Sequence, residues 1–255
     1  MTQVAMSDQE VVRQHRTIWA ARPELRAVYH EWFAQLLRCV EGLHPIVEIG
    51  AGPGFFKEYF PHLIATDVVP TPYVDVVCDA GSLPFQSGSV GALVMVDVLH
   101  HLPQPLEFLA EAGRVLQPGG RVAMIEPWIT VPSYLLYRYF HHEDCSLAVD
   151  VRRPFGELGK RAFDGNAAIP FKLLKQCKPG APSWRLLQAA PFLGLPYLAT
   201  LGFQRARPMP RAVIGMAKVC ERLFHPLSRW ASTRILLVWE HASDEQNVTR
   251  FLDAS

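Results

Sequence analysis

Apolar positions repeat along this chain with two different rhythms. Between Glu24 and Val40 the residues Leu25, Val28, Tyr29, Trp32, Phe33, Leu36, Leu37 and Val40 fall at helical spacing, which predicts an amphipathic helix. From residue 46 short, near-continuous apolar runs take over, at Ile46–Ile49, Leu63–Thr66, Val74–Val77, Ala92–Val96, Val122–Ile125 and Ile235–Trp239. Runs of this length suit strands covered on both faces, as in a parallel sheet. A helix fits after the first run and another fits Pro105–Leu116, so strands and helices alternate and an α/β layered fold is expected. After Trp128 the alternation stops. Residues 129–215 show no strand rhythm. A sixth strand is placed at Leu198–Gln204, and a helical stretch, Ile214–Trp230, precedes the last strand. The expected organisation is one elaborated domain: N-terminal helices and a core over residues 1–128, a helical or irregular cap over 129–215, and a return helix and strand over 216–255.

Charge sharpens that division. Residues 1–128 hold 8 basic and 14 acidic side chains, whereas residues 129–215 hold 12 basic and 5 acidic ones. A basic cap beside an acidic core either attracts the core or recruits an acidic substrate. The whole chain, 255 residues with a formal charge of +1, lacks the basic excess of a dedicated nucleic-acid binder. Its 5 cysteines are odd in number and form no CxxC, so neither a disulfide framework nor a cysteine zinc site is expected. The first residues lack the basic-then-apolar layout of a signal peptide, and a cytoplasmic setting is expected. Leu186–Phe203 is uncharged over 18 residues, but Pro191, Gly194, Pro196 and Gly202 interrupt it, so no stable membrane span is expected.

Chemistry concentrates after the first strand, in Glu48-Ile49-Gly50-Ala51-Gly52-Pro53-Gly54. Closely spaced glycines at the end of a buried strand allow a tight turn and close backbone approach to a ligand. Asp67 ends the second strand, 17 positions after Gly50, where a carboxylate can accept both hydroxyls of a ribose. Asp79 ends the third in Asp79-Ala80-Gly81-Ser82-Leu83-Pro84-Phe85, and Leu116-Gln117-Pro118-Gly119-Gly120 turns a helix into the fifth. With Val98-Leu99-His100-His101-Leu102-Pro103 after the fourth strand, this series resembles the class I S-adenosylmethionine-dependent methyltransferases, in their small-molecule, type 11-like branch. The motifs occur in the family's order over residues 46–127, about a third of the chain.

The resemblance implies a doubly wound, Rossmann-like seven-strand sheet and S-adenosylmethionine as cofactor. It implies that Gly50, Ala51, Gly52 and Gly54 line the methionine moiety, with Glu48 beneath the loop reaching toward the amino group. Asp67 would hold the ribose, Val68 flank the adenine, and Asp79 and the Ala80 amide meet the adenine edge. Asp97 and Val98 would sit beside the sulfonium. A nicotinamide-dependent Rossmann enzyme shares the loop and the downstream acid but not Glu48, the Asp79 motif or the Pro-Gly-Gly turn. A non-catalytic cofactor-binding regulator with the same fold is the other alternative.

The expected acceptor is a small organic molecule, anionic or amphipathic, and not a nucleic acid. A base is needed only if the acceptor must lose a proton. Candidates at strand ends are His100 and His101 after strand four, and Glu126 with Trp128 after strand five. Within the cap, Tyr137, the cluster His141-His142-Glu143 and Asn166 resemble a subgroup of bacterial methyltransferases and are acceptor-side candidates. Consecutive residues such as His141–Cys145 cannot all converge on one ion, so no metal site is expected.

Overall fold

The computed structural model describes residues 6–140, 145–154, 165–176 and 184–242. Its strands are β1 (Ile46–Ile49), β2 (Ile64–Asp67), β3 (Val76–Val77), β4 (Val90–Val96), β5 (Leu116–Pro127), β6 (Trp184–Phe192) and β7 (Arg234–His241). They form one sheet in the order β3-β2-β1-β4-β5-β7-β6. The first five neighbours run parallel; β7 is antiparallel to β5, and β6 to β7. From β1 the chain steps outward to β2 and β3, then returns to the other side of β1 as β4. That reversal opens a crevice at the carboxyl ends of β1 and β4, where open α/β sheets bind ligands. Because β7 is antiparallel, its first residue, Arg234, lies opposite Pro127 at this same edge.

The two-residue period of the strands sorts the core into two layers. Ala92, Val94, Ala123, Ile125, Leu236 and Val238 face one side, packed with Leu25, Val28, Trp32, Phe33 and Leu36 of α2 (Pro23–Cys39). Leu93, Met95, Val122, Met124 and Leu237 face the other, against Phe108, Ala112 and Val115 of α4 (Pro105–Val115). α1 (Asp8–Ala21) begins at a capping box made by Ser7 and Glu10, and α3 (Phe55–Tyr59) follows the glycine loop. The remaining helices are α5 (Val131–Phe140), α6 (Ile169–Gln176), α7 (Leu195–Thr200), α8 (Arg211–Leu223) and α9 (Ser228–Ala231).

One strand lies elsewhere than expected. Leu198–Gln204 forms the end of α7 and a 3-10 turn, with Leu201 and Gly202 at φ +58° and +52°, values a strand does not tolerate. The sixth strand is instead Trp184–Phe192, inside the 129–215 stretch. It is an edge strand, which accommodates Pro191, and a register shift between Leu186 and Gln188 breaks its alternation. The stretch Ile214–Trp230 is likewise not one helix: Pro226 separates α8 from α9 through a short 3-10 turn. Among the described residues no helix is long and apolar enough to cross a membrane.

Candidate functional site

The crevice is built first from the loop after β1. Gly50 and Gly54 adopt left-handed φ of +68° and +72°, and each also lacks room for a side chain. A Cβ on Gly50 would lie 2.5 Å from Val98 Cγ2, and one on Gly54 2.7 Å from Tyr73 Cβ. The loop is tied to β2 through the Ala51 N–H, which donates to the Thr66 carbonyl at 2.9 Å, while the Thr66 hydroxyl donates to the Glu48 carbonyl at 2.7 Å.

Two carboxyl groups lie on this frame. Asp67 accepts from the Gly52 N–H with Oδ2 and from the Val69 N–H with Oδ1, both at 2.7 Å. Burial raises its pKa, and these N–H groups oppose the rise. Two carboxylate oxygens offer about four acceptor positions, so capacity for two further donors remains. Glu48 is 7% exposed and its Oε2 has no hydrogen-bond partner among the described residues. Burial, and then the neighbouring Asp67 carboxylate, push the Glu48 carboxyl up to about 8. A buried acid without a donor is costly unless it is neutral or meets a cation.

Next to them Val68 and Val77 are more than half exposed at the ends of β2 and β3, an apolar pair open to a flat ring. Asp79 is exposed; its Oδ1 accepts from the Gly81 N–H at 2.7 Å, and Ala80 beside it is half-buried.

Beyond β4 the chain turns sharply at Asp97, which has φ +56° and donates its N–H to the Ile125 carbonyl at 3.0 Å. Its carboxylate pairs with Arg234, a residue the sequence reading did not single out. Arg234 is 4% exposed, its guanidinium lying 4.4 Å from the Tyr197 ring centroid and 5.4 Å from that of Trp32. Burial works against its charge, but the Asp97 carboxylate outweighs it and holds the pKa well above the ordinary value. Tyr29, packed against Tyr197, is held well above its usual pKa by burial. The available signal was positional: Arg234 directly precedes the apolar run of the last strand.

Several expected acceptor-side residues lie in the support of the crevice. Glu126 is fully buried; Oε1 accepts from the N–H groups of Val98 and Leu99 at 2.8 and 2.7 Å, and Oε2 lies 2.7 Å from His100 Nδ1. Asp97, His100 and Glu126 have ligand-type atoms within 4.8 Å of one another. Asp97 pairs with Arg234, and Glu126 with His100 and the Val98 and Leu99 N–H groups, contacts that fix the turn after β4. His101 is more accessible than His100; the two rings lie 4.1 Å apart, and a Cβ on Gly165 would come within 2.6 Å of His101 Nδ1.

Asn166 anchors this turn to the cap. Its N–H donates to the His100 carbonyl at 2.9 Å, and its side chain accepts from Ser146 and Ala168 N–H groups and donates to the Ser146 carbonyl. Tyr137 is buried and donates its hydroxyl to the Thr233 carbonyl at 2.7 Å. Trp128, half-buried, meets Phe171 edge-on at 5.3 Å. His141, His142 and Glu143 lie outside the described residues.

The arrangement therefore offers an anionic, backbone-lined crevice suited to a ligand with a cationic end, adjacent hydroxyls and a flat ring. The family described as "Methyltransferase domain" matches residues 47–124. An uncharacterised 37.1 kDa transposon protein of Streptomyces fradiae is 46% identical over 97 residues, which is 36% of this chain and 28% of that one. The 27-O-demethylrifamycin SV methyltransferase of Amycolatopsis mediterranei is 38% identical over 55 residues, 22% of this chain and 20% of the enzyme. The chain thus spans less than a third of the length of these curated relatives. In fold it is similar to an S-adenosylmethionine-dependent methyltransferase from Archaeoglobus fulgidus, with TM-score 0.51 and 14% identity, covering 84% of this chain and 94% of the other. Residues 47–124 thus match a methyltransferase-domain family, and the seven-stranded sheet that carries them is similar in fold to an S-adenosylmethionine-dependent methyltransferase.

Proposed function

We propose that the protein transfers a methyl group from S-adenosylmethionine to a small organic acceptor. The observation that carries the donor side is the buried Glu48 carboxyl, whose Oε2 has no partner among the described residues, beneath a loop where Gly50 and Gly54 have no space for a side chain. A cationic amino group beside Glu48 would give its unsatisfied Oε2 a donor. Asp67 has the free acceptor capacity for two ribose hydroxyls, and Val68 and Val77 offer apolar faces to an adenine ring. Asp79 and the Ala80 amide would meet the adenine edge, and Val98, packed against Gly50, would sit with Asp97 beside the sulfonium.

S-adenosylmethionine supplies, when bound, a methyl group on a good leaving group, so the protein must chiefly align an acceptor and exclude water. Asp97, fixed by Arg234 and by the backbone of β5, gives the acceptor side a rigid polar wall. Trp32, Tyr29 and Tyr197 pack around that pair and favour an organic acceptor over a polynucleotide backbone. If the acceptor must lose a proton, His101 is the better placed of the histidine pair, because His100 Nδ1 is committed to Glu126. His141, His142 and Glu143 are proposed on the acceptor side from the sequence alone.

The test couples binding to turnover. The protein should bind S-adenosylhomocysteine in preference to NAD, and should form S-adenosylhomocysteine when S-adenosylmethionine is supplied with a dialysable metabolite pool. Binding of NAD alone would overturn the donor assignment; binding without turnover in any acceptor pool would mark a cofactor-binding regulator.

A further inference from the structure

A second feature lies away from the crevice, on the segment joining α7 to β7. From Arg205 to Trp230 the chain holds six basic residues and a single acid, Glu221. That acid is turned inward, accepting the N–H groups of Gly194 and Leu195 at 3.2 and 2.8 Å. Ile214 is the buried side chain of α8, which leaves most of the helix outside the core. Met216, Val219 and Leu223 fall at three- and four-residue spacing along α8 and are exposed, Leu223 at 69%, while Met216 also lines an apolar groove against Leu195 and Leu198 of α7. Phe224 and Trp230 continue the stripe beyond the helix, Trp230 at 60% exposed. α9, which carries Trp230, packs against α5, whose Val131 is 78% exposed.

Exposed large apolar residues concentrate on this segment, unlike the single scattered ones of an ordinary surface. Its charge is mostly basic, and Lys218 of α8 pairs with Glu31 of α2. Among the described residues Arg211, Arg222 and Arg229 form no ion pair, and Arg229 lies 5.6 Å over the Trp230 ring. We propose that this face lies on an anionic lipid surface, with the apolar stripe in the headgroup boundary and the arginines on lipid phosphates. Apolar side chains flanked by unpaired arginines, with a tryptophan at the border, are the composition of interfacial helices. A second copy of the chain is a poorer occupant, because a two-fold contact would set the arginines of one protomer against those of its partner. No described helix can span a bilayer, so the attachment is peripheral.

Sedimentation of the full chain with vesicles tests this without any acceptor. Vesicles of phosphatidylcholine containing about a third phosphatidylglycerol should bind at least about tenfold more strongly than phosphatidylcholine alone, and binding should weaken as salt is raised. The double variant Leu223→Glu/Trp230→Glu should lose binding by roughly tenfold or more with an unchanged melting temperature, since both side chains are exposed. If the glutamates compromise folding, Met216→Ser/Leu223→Ser serves the same comparison. No binding to either vesicle, or binding unaltered in the folded variants, overturns the proposal. So does a concentration-dependent dimer, abolished by the same variants, in place of vesicle binding.

Discussion

Glu48 offers the sharpest quantitative handle on the cofactor crevice. Its carboxyl is raised from the ordinary 4.5 to about 8 by burial and by Asp67. At pH 7 roughly nine in ten molecules would therefore hold this proton. An ammonium group placed beside Glu48 favours the carboxylate, so binding of S-adenosylhomocysteine at pH 7 should release about 0.9 proton from this site. Calorimetry in buffers of different ionisation enthalpy reads that number directly, and at pH 9 it should fall to about 0.1. Glu48→Gln should abolish the release.

The same shift sets a stability slope. A group whose folded pKa exceeds its unfolded value contributes stability in full below about 4.5 and loses it as pH rises to about 8, at about 1.4 kcal/mol per unit. Between pH 5.5 and 7.5 the cofactor-free protein should lose about 2.5 kcal/mol relative to Glu48→Gln, measured by denaturant unfolding. A release of zero protons in the wild type, or equal slopes in both proteins, would refute the placement of a neutral, unpartnered Glu48 under the loop.

Four further outcomes are expected. Asp67→Ala removes a charged acceptor and should weaken S-adenosylhomocysteine binding by about 1.5–3 kcal/mol in calorimetry. Gly50→Ala adds a Cβ 2.5 Å from Val98 at φ +68° and should lower stability by about 1–3 kcal/mol in thermal or denaturant melts, with cofactor affinity falling as Val98 is displaced. Glu126→Ala leaves the N–H groups of Val98 and Leu99 and the His100 ring without their acceptor, and should cost about 3–5 kcal/mol in urea unfolding. Ala at His141, His142 or Glu143 should depress turnover while cofactor affinity stays within about 0.5 kcal/mol, as measured by steady-state kinetics and calorimetry.

What could be read from the linear chain was what the chain builds locally. The run Val47 to Gly54 encodes a buried strand and a turn within eight residues, and Asp67 follows one β-α-β step later, so the crevice was visible from spacing. Arg234 was not, because its role depends on an antiparallel β7 carrying it beside Asp97, 137 residues earlier. Arg22 was hidden for a similar reason. A fully buried arginine is tolerated there only because Glu24 and the carbonyls of Thr200, Gly202 and Arg205 satisfy its guanidinium. β6 escaped because an edge strand with a bulge and a proline lacks the alternation that marks a buried one. Glu126 and His100 read from sequence as acceptor-side groups; burial by β5 and the turn after β4 gives them a supporting place that only the tertiary contacts reveal.

The most direct test of methyl transfer to a small acceptor is mass spectrometry of a metabolite extract incubated with the protein and trideuteromethyl-labelled S-adenosylmethionine. Wild-type protein should place the label on one or a few low-mass species, with S-adenosylhomocysteine formed in equal amount, and Asp67→Ala should not. Label confined to macromolecules, or none anywhere while the cofactor binds, would contradict it.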